Sequence, residues 1–229
     1  MKKNQNDKLK AIGIIPDGNR RYAEDKGISY KQAYQEGFEK GQEVFNWCIN
    51  HSTIDKAVIY ALSTENLSRS GSELKTLINL YKKNLEDLAE SEDIHDNEVN
   101  VKVIGRRELI KPIEEQVNNV EKATENYDKN YLRIALGYGG RAEIIDAISR
   151  LNEKNLEINE DNLEKELYSS FDLDLIIRTG KYQRLSNFQL WQSAYAELYF
   201  TDKLWPEFDR EEFDKALKFY EDTKRKFGR

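Results

Sequence analysis

The segment with the clearest chemical content is residues 17–21, Asp-Gly-Asn-Arg-Arg, which follows the apolar run Ala11–Ile15. Arginine keeps its charge and can bind two phosphate oxygens at once. Asp17 is itself negative, so a divalent cation would have to lie between it and a phosphate, and such oxygen ligands suit Mg²⁺. The segment therefore suggests a metal-bridged diphosphate site, and the alternative is a capping aspartate followed by surface arginines.

Further polar segments follow or adjoin other short apolar runs. They are residues 63–69, 137–141, 178–180 and 184–187. Arg178 and Arg184 could donate further hydrogen bonds to an anion. Two such segments so close together favour a bound ligand over surface ion pairs. Ser63 could bind a ligand or cap a helix. For Gly139-Gly140 we favour a structural role, a tight turn from a strand into a helix.

Apolar runs rich in β-branched residues predict strands that are buried on both faces. They cover residues 11–15, 57–62, 99–104, 132–136, 173–177 and 198–200. Helical spacing of apolar residues predicts helices over 34–49, 73–90, 141–151 and 211–225, the last capped by Asp209, and 153–166 read as a loop leading into a short helix. The alternation predicts an α/β fold, a mainly parallel six-stranded sheet covered by helices, in one domain spanning residues 1–229.

Ligands of open parallel sheets bind outside the carboxyl ends of the strands. Asp17, Ser63, Gly137 and Arg178 each follow a predicted strand, so we expect all four at one edge of the sheet. Glu197 instead precedes its apolar run. Either that strand runs antiparallel to the others, or Glu197 has a role different from that of the four residues above.

The composition excludes several classes of protein. Charged residues make up 34% of the 229 residues, but the net charge is only −6, which argues against nucleic-acid binding through bulk positive charge. The only cysteine, Cys48, allows no internal disulfide and indicates a reducing compartment. No apolar stretch has the length of a signal peptide or membrane span, so we expect a soluble cytoplasmic protein that could still visit a membrane surface.

Histidine chemistry is also disfavoured. His51 and His95 are the only histidines, and neither lies in a polar motif, so both are expected at the surface. Zinc chemistry and Ser-His-Asp catalysis are therefore improbable. Cys48 lies beside Trp47 on an apolar helix face and is expected to pack in the core.

Taken together, these motifs resemble the cis-prenyltransferases, the undecaprenyl diphosphate synthase family. The resemblance is carried by residues 15–23, 60–66, 137–141, 177–180, 184–188 and 191–200, and it runs from about residue 11 to residue 228. At Pro16 and the paired arginines, the chain resembles archaeal members more than typical bacterial ones. The resemblance implies a dimeric α/β enzyme with an apolar tunnel that condenses isopentenyl diphosphate with an allylic prenyl diphosphate, using Mg²⁺ and forming cis double bonds. Peripheral membrane contact through the lipid product is a further implication.

The resemblance also implies roles for individual residues. Asp17 would be the essential carboxylate for Mg²⁺ and diphosphate, and Glu197 the second metal ligand, in a region that reaches toward the partner subunit's site. Asn66 matches a proton-handling position, but the departing diphosphate is the alternative acceptor because a neutral amide is a poor base. The residues implied in substrate binding are Gly18, Asn19, Arg20, Arg21, Tyr22, Tyr34, Ser63, Thr64, Glu65, Leu67, Arg69, Arg178, Arg184, Leu185 and Ser186.

The chain departs from the family pattern near the diphosphates. Tyr30 and Tyr34 stand where relatives usually carry Arg and His, and residues 181–183, Lys-Tyr-Gln, replace Gly-Glu-His. Two alternatives therefore stay open: an atypical short-chain or non-head-to-tail synthase, and a non-catalytic subunit of a heteromeric enzyme. The presence of Asp17 and Glu197 argues against the non-catalytic subunit. Candidate tunnel walls are Val44, Phe45, Leu77, Leu80 and Leu88, although each could equally be ordinary core.

Overall fold

The structure is a computed structural model that describes residues 8–68 and 71–223. Its six strands are β1 Ala11–Ile15, β2 Lys56–Ser63, β3 Val99–Ile104, β4 Asn130–Tyr138, β5 Leu175–Arg178 and β6 Glu197–Phe200. They form one sheet in the order β3-β4-β2-β1-β5-β6. Every neighbouring pair is parallel. The predicted six-stranded α/β sheet is confirmed.

The central strands are buried because both faces of the sheet are covered. All residues of β1 and β5 are buried. Ile12 and Ile14 of β1 pack on one face in a cluster that includes Trp205. Ala11 and Ile15 face the other side, against a second apolar cluster. Such two-sided burial explains why these strands read as continuous apolar runs and do not alternate.

Eight helices surround the sheet within the part of the chain that the structure describes. They are α1 Asn19–Lys26, α2 Tyr30–Ile49, α3 Gly71–Ala89, α4 Glu92–Asp96, α5 Glu114–Ala123, α6 Gly140–Glu153, α7 Glu160–Glu166 and α8 Arg210–Asp222. The predicted helices are present, with shifted ends. For example, α2 begins earlier than predicted because Ser29 caps it, accepting a hydrogen bond from the Gln32 backbone N–H at 3.2 Å. Helices α4 and α5 were not predicted.

Two finer expectations have opposite outcomes. Asp209 does cap α8, since its Oδ1 accepts from the Glu212 backbone N–H at 2.9 Å. The option that the strand of Glu197 runs the other way is wrong: β6 is parallel to β5, and Glu197 lies opposite Leu175 at the start of both strands. None of the described helices is both long enough and apolar enough to cross a membrane.

Candidate active site

The backbone of Asp17 is held by a neighbouring strand. Asp17 N–H donates to Thr179 Oγ1 at 2.9 Å, and the Thr179 hydroxyl donates to the Asp17 carbonyl at 2.7 Å. Thr179 follows β5, the neighbour of β1, and it is fully buried. The same Asp17 carbonyl accepts from the backbone N–H of Trp205 at 3.1 Å. Sequence reasoning assigned no role to Thr179, although it lies next to Arg178 in a motif that had been singled out.

The carboxylate of Asp17 lies between two arginines. Its Oδ1 accepts from Arg21 Nη2 at 2.9 Å, and its Oδ2 accepts from Arg178 Nη2 at 2.8 Å. The Arg178 side chain is 4% exposed, whereas that of Asp17 is 28% exposed. One carboxylate and two guanidinium groups leave a net positive charge here, which favours an anionic ligand.

Arg178 also reaches the segment that contains Arg184 and Ser186. Its Nη1 donates to Ser186 Oγ at 2.6 Å and to the Arg184 carbonyl. Ser186 and Asn187 have φ values of 49° and 66°, a left-handed conformation that non-glycine residues adopt rarely. The buried guanidinium of Arg178 therefore joins the Asp17 segment to this strained loop.

Two glycines allow the close approach of these segments. Gly180 has a φ of 82°, and a Cβ there would lie 2.6 Å from Arg21 Nη2 and 2.8 Å from the Asp17 carbonyl oxygen. Gly18 has a φ of 117°, and a Cβ there would lie 2.9 Å from a methyl carbon of Leu204. Both positions require glycine for conformation and for space.

Asn19 begins α1, and it lines the cavity described below. Its Oδ1 is buried with no hydrogen-bond partner among the described residues. The same oxygen would lie only 2.3 Å from a Cβ at Gly37. A glycine at position 37 of α2 therefore makes room for the Asn19 side chain.

Arg20 belongs to a neighbouring polar cluster on α1, α2 and α3. Its guanidinium carbon lies 5.3 Å from the ring centroid of Tyr30. A hydrogen bond with Tyr30 and the negative charge of Glu73 raise the pKa of Arg20 above its ordinary value. Tyr34 donates to Glu73 Oε1 at 2.6 Å. Tyr22 is directed elsewhere, since its hydroxyl donates to Glu36 Oε2 at 2.7 Å, a bond that raises the pKa of Tyr22.

The end of β2 contributes Ser63 and the residues that follow it. Ser63 Oγ accepts from the Asn66 backbone N–H at 3.1 Å, which is the capping role left open above. Glu65 accepts from Thr64 Oγ1 and from Asn187 Nδ2, both at 3.1 Å. Burial raises the pKa of Glu65, but hydrogen bonds from its own backbone N–H and from the side chains of Ser63, Asn187 and Thr64 outweigh burial and lower it below the usual value. The side chain of Leu67 and the whole of Arg69 lie outside the described residues.

Asn187 connects this edge to α6. Its backbone carbonyl accepts from Gly140 N–H at 2.7 Å, and its Oδ1 accepts from Arg141 N–H at 2.9 Å. Strand β4 ends at Tyr138 and α6 begins at Gly140, so the predicted tight turn at the glycine pair is confirmed. A Cβ at Gly139 would also lie only 2.8 Å from Asn187 Nδ2. Leu185 packs against the core cluster under the sheet and does not line the cavity.

A cavity of about 940 Å³ opens at Asp17, Arg178 and Ser186. It runs between α2, α3 and the sheet, and its volume lies at the upper end of the range for small-molecule sites, about 300–1,000 Å³. Apolar side chains that line it include Phe45, Ile59, Leu77, Leu88 and Ile134. Of the predicted tunnel walls, Val44 and Leu80 do not line it; both pack in buried clusters.

The far end of the cavity is polar. Asn46, Asn84, Asp87, Ser91 and Asp93 line it there. These residues lie toward the carboxyl ends of α2 and α3 and at α4. The amino-terminal parts of α2 and α3 instead carry Tyr34 and Glu73, which are hydrogen-bonded to each other. Asn46 Nδ2 donates to Asp93 Oδ2 at 2.9 Å. The cavity thus has a charged mouth, apolar walls and a polar base.

Glu197 is distant from Asp17 within one chain. It begins β6, and its backbone N–H donates to the Asp174 carbonyl at 2.8 Å, at the amino end of β5. Asp17 follows the carboxyl end of β1, which pairs in parallel with β5. Asp17 therefore lies at the carboxyl ends of the strands and Glu197 at their amino ends, so the two carboxylates do not share one ion within a protomer.

The remaining predictions concern the histidines and the cysteine. His95 is half-buried: its ring nitrogens lie 2.8 Å from the Tyr127 hydroxyl and 2.9 Å from the Ala89 carbonyl oxygen. His51 is also half-buried, so both histidines keep part of their surface in solvent, but neither is fully exposed. Cys48 is buried as predicted, and burial raises the pKa of its thiol to about 12.

Comparison with known proteins identifies the family. The family model described as "Putative undecaprenyl diphosphate synthase" matches residues 15–228. The chain belongs to this family. It is 42% identical to a tritrans,polycis-undecaprenyl-diphosphate synthase (geranylgeranyl-diphosphate specific) from Thermoplasma acidophilum, over 95% of this chain and 88% of the relative.

Solved structures of undecaprenyl diphosphate synthase relatives show the same fold. A probable undecaprenyl diphosphate synthase from Campylobacter jejuni has a TM-score of 0.82 and 32% identity, and covers 97% of this chain and 100% of its own. Lavandulyl diphosphate synthase from Lavandula x intermedia, in complex with dimethylallyl diphosphate, has a TM-score of 0.85 and 28% identity, with 96% and 98% covered. This chain is accordingly a prenyltransferase of the cis-prenyl diphosphate synthase type, which condenses isopentenyl diphosphate with an allylic prenyl diphosphate.

Proposed function

We propose that this protein is a Mg²⁺-dependent cis-prenyltransferase that makes a long polyprenyl diphosphate, with Asp17 at the centre of its diphosphate site. The observation that carries the proposal is the Asp17 carboxylate held between Arg21 and Arg178 at the mouth of the long apolar cavity. A charged mouth binds diphosphates, and an apolar cavity takes up a growing hydrocarbon chain.

The residues suit a cation carried mainly by substrate oxygens. Among the described residues, no group of three or more His, Cys, Asp or Glu side chains could hold a metal. Mg²⁺ is commonly bound through one or two carboxylates plus substrate phosphates, and Asp17 is one such carboxylate. When bound, Mg²⁺ would neutralise part of the charge of the diphosphates.

The arginines have the chemistry to stabilise charge that grows on the leaving diphosphate. Arg20 and Arg21 would bind the allylic diphosphate together with the backbone around Gly18, and Arg178, Arg184 and Ser186 would bind isopentenyl diphosphate. Hydrogen bonds to charged groups contribute about 1.5–3 kcal/mol each, so losing one arginine would slow the reaction markedly. The proton released from the isopentenyl carbon would go to the departing diphosphate, because the neutral Asn66 amide is a poor base.

The cavity favours a long product. Burial contributes about 0.8 kcal/mol per CH₂, an upper bound of roughly 4 kcal/mol for each added five-carbon unit. The name of the Thermoplasma acidophilum relative specifies geranylgeranyl diphosphate, and we propose the same class of allylic primer here. The similarity to lavandulyl diphosphate synthase supports a second candidate, a short or non-head-to-tail product. A cavity of about 940 Å³ is larger than two five-carbon units require, which favours the first candidate.

We propose further that the enzyme is a homodimer in which Glu197 serves the partner's site as the second metal ligand. Strand β6 is the last strand at one side of the sheet; Leu198 within it is 37% exposed, and Tyr195 just before it is 70% exposed. An edge strand flanked by exposed apolar and aromatic groups is suited to pairing with a second copy.

We also expect the enzyme to act in the reducing cytoplasm, in keeping with the buried free thiol of Cys48, and to meet the membrane through its lipid product.

The direct test is turnover by the purified chain alone. We would supply labelled isopentenyl diphosphate, Mg²⁺ and allylic primers from dimethylallyl to geranylgeranyl diphosphate, and size the products. Long products from the geranylgeranyl primer, lost in a chelator and in Asp17→Asn, are expected. Branched ten-carbon products would favour the second candidate, and no product with any primer would indicate a non-catalytic subunit.

A mixing experiment tests the role of Glu197. Asp17→Ala and Glu197→Ala, each inactive alone, would be mixed and allowed to exchange subunits. If Glu197 serves the partner's site, each mixed dimer has one intact site, and activity returns to about a quarter of the wild-type value in a two-fold dimer. No recovery, with subunit exchange demonstrated, would refute action across the dimer.

A further inference from the structure

Tyr182 lies against both arginines that are expected to bind the two different diphosphates. The guanidinium carbon of Arg184 is 4.1 Å from the centroid of the Tyr182 ring, and that of Arg21 is 4.9 Å from the same centroid. Both distances fall within the range of about 6 Å in which a cation is attracted to an aromatic face. The Tyr182 side chain is otherwise open to solvent, with 45% of the residue exposed.

The two arginines come from separate parts of the fold. Arg21 lies on α1, while Arg184 lies in the loop after β5. Arg21 is bonded to Asp17 Oδ1 and to the Gly180 carbonyl, at 2.9 Å and 2.6 Å. Two like charges near each other repel. The negative face of an aromatic ring offsets that repulsion and gives both guanidinium groups a common contact.

The backbone before Tyr182 is firmly anchored. Gly180 N–H donates to the Lys203 carbonyl at 2.7 Å, and Lys181 N–H donates to the Thr201 carbonyl at 3.0 Å. Gly180 and Lys181 both have left-handed φ values, 82° and 71°. These consecutive left-handed residues turn the chain so that the next side chain, Tyr182, reaches Arg21 on α1.

We propose that Tyr182 is a positioning residue that holds Arg21 and Arg184 in place and thereby links the allylic and isopentenyl half-sites. The inference rests on the proposed function, because it takes Arg21 to serve one diphosphate and Arg184 the other. It needs only the aromatic ring of Tyr182 and not the hydroxyl. A purely structural role would instead change folding stability and leave the apparent affinity for each substrate unchanged.

The test compares Tyr182→Leu, which removes the aromatic face, with Tyr182→Phe, which keeps it. We expect Tyr182→Leu to raise KM for both substrates about 2- to 5-fold, the size of an exposed cation–π contact, while Tyr182→Phe stays near wild type. Tyr131→Leu is the matched control, because the Tyr131 ring also contacts two cations. Its centroid lies 5.4 Å from the guanidinium carbon of Arg133 and 5.9 Å from Lys56 Nζ, at the amino ends of the strands. It should change neither KM.

Two results would overturn the proposal: unchanged KM values in Tyr182→Leu, whether or not its melting temperature falls, or an equal KM defect in Tyr182→Phe. A double-mutant cycle adds a check, because Tyr182→Leu and Arg184→Gln should be non-additive in KM for isopentenyl diphosphate if the contact matters. Calorimetric binding of inorganic pyrophosphate is the readout that needs no turnover. If the wild-type protein binds pyrophosphate more tightly than Tyr182→Leu but makes no product, the proposed function is contradicted and the role of Tyr182 is supported. Equal binding of pyrophosphate by the two proteins would contradict the role of Tyr182.

Discussion

Arg178 donates from Nη2 to Asp17 Oδ2 at 2.8 Å, joining residues 161 positions apart in the chain. The contact exists because β1 and β5 are parallel neighbours whose carboxyl ends meet. The same guanidinium donates from Nη1 to Ser186 at 2.6 Å. One buried side chain therefore sets the separation between the carboxylate and the loop that is expected to bind isopentenyl diphosphate.

Arg178→Lys should reduce kcat/KM even though the charge is kept. An ammonium group on a flexible stem does not reproduce a planar fork that contacts Asp17 and Ser186 together. Losing one charge-assisted hydrogen bond at about 1.5–3 kcal/mol corresponds to roughly a 10- to 150-fold loss. Steady-state kinetics with each substrate varied measures it. Arg210→Lys, at an exposed pair with Asp214, is the matched control; equal activity in both variants would contradict the bridging role.

Thr179→Val should lower both stability and turnover. The valine has a similar shape but offers neither the acceptor for Asp17 N–H nor the donor to the Asp17 carbonyl. Leaving a buried backbone donor unsatisfied costs about 1–3 kcal/mol, and the Asp17 carboxylate loses its anchor. Denaturant unfolding and kcat would be measured together. Thr179→Ser keeps the hydroxyl and should behave nearly as wild type. If Thr179→Val had the stability and kcat of the wild type, Thr179 would not anchor Asp17.

Ala61→Phe should shorten the products. Ala61 lies on β2 in the wall of the cavity, where a phenyl ring would occupy part of the roughly 940 Å³. A phenyl ring in the cavity leaves less room for the growing hydrocarbon chain, so chain growth should stop earlier. Products would be sized after a fixed reaction with the same primer. Leu88→Ala enlarges the cavity toward its polar base and should not shorten them. An unchanged distribution in Ala61→Phe would show that the chain takes another path.

Cys48 should not react with thiol reagents in the native protein at neutral pH. The thiolate is the reactive form, and burial raises the pKa of Cys48 to about 12, so the thiol stays neutral well above pH 7. Mass spectrometry after iodoacetamide treatment should show labelling only when denaturant is present. Labelling of the folded chain at pH 7 would mean that the helix carrying Cys48 opens readily.

Much of this architecture could be predicted because its signals are local. Runs such as Ala11–Ile15 are buried on both faces, and a parallel sheet brings the carboxyl ends of β1, β2 and β5 to the same side whatever the strand order. Asp17, Ser63 and Arg178 were therefore expected together. Helix α5 was missed because its ten residues contain only three apolar side chains, Val117, Val120 and Ala123, too few to establish a helical spacing in the sequence.

The sequence by itself determined the chemistry of the motifs, since residue type decides charge, hydrogen-bonding capacity and backbone freedom. Only the tertiary structure decided that β5 lies beside β1, that Thr179 anchors Asp17 and that Glu197 lies at the amino ends of the strands. It also decided the path of the cavity between α2 and α3 and the contact of Tyr182 with two arginines. These features depend on contacts between distant segments, which arise from strand order and side-chain packing and leave no local pattern in the chain.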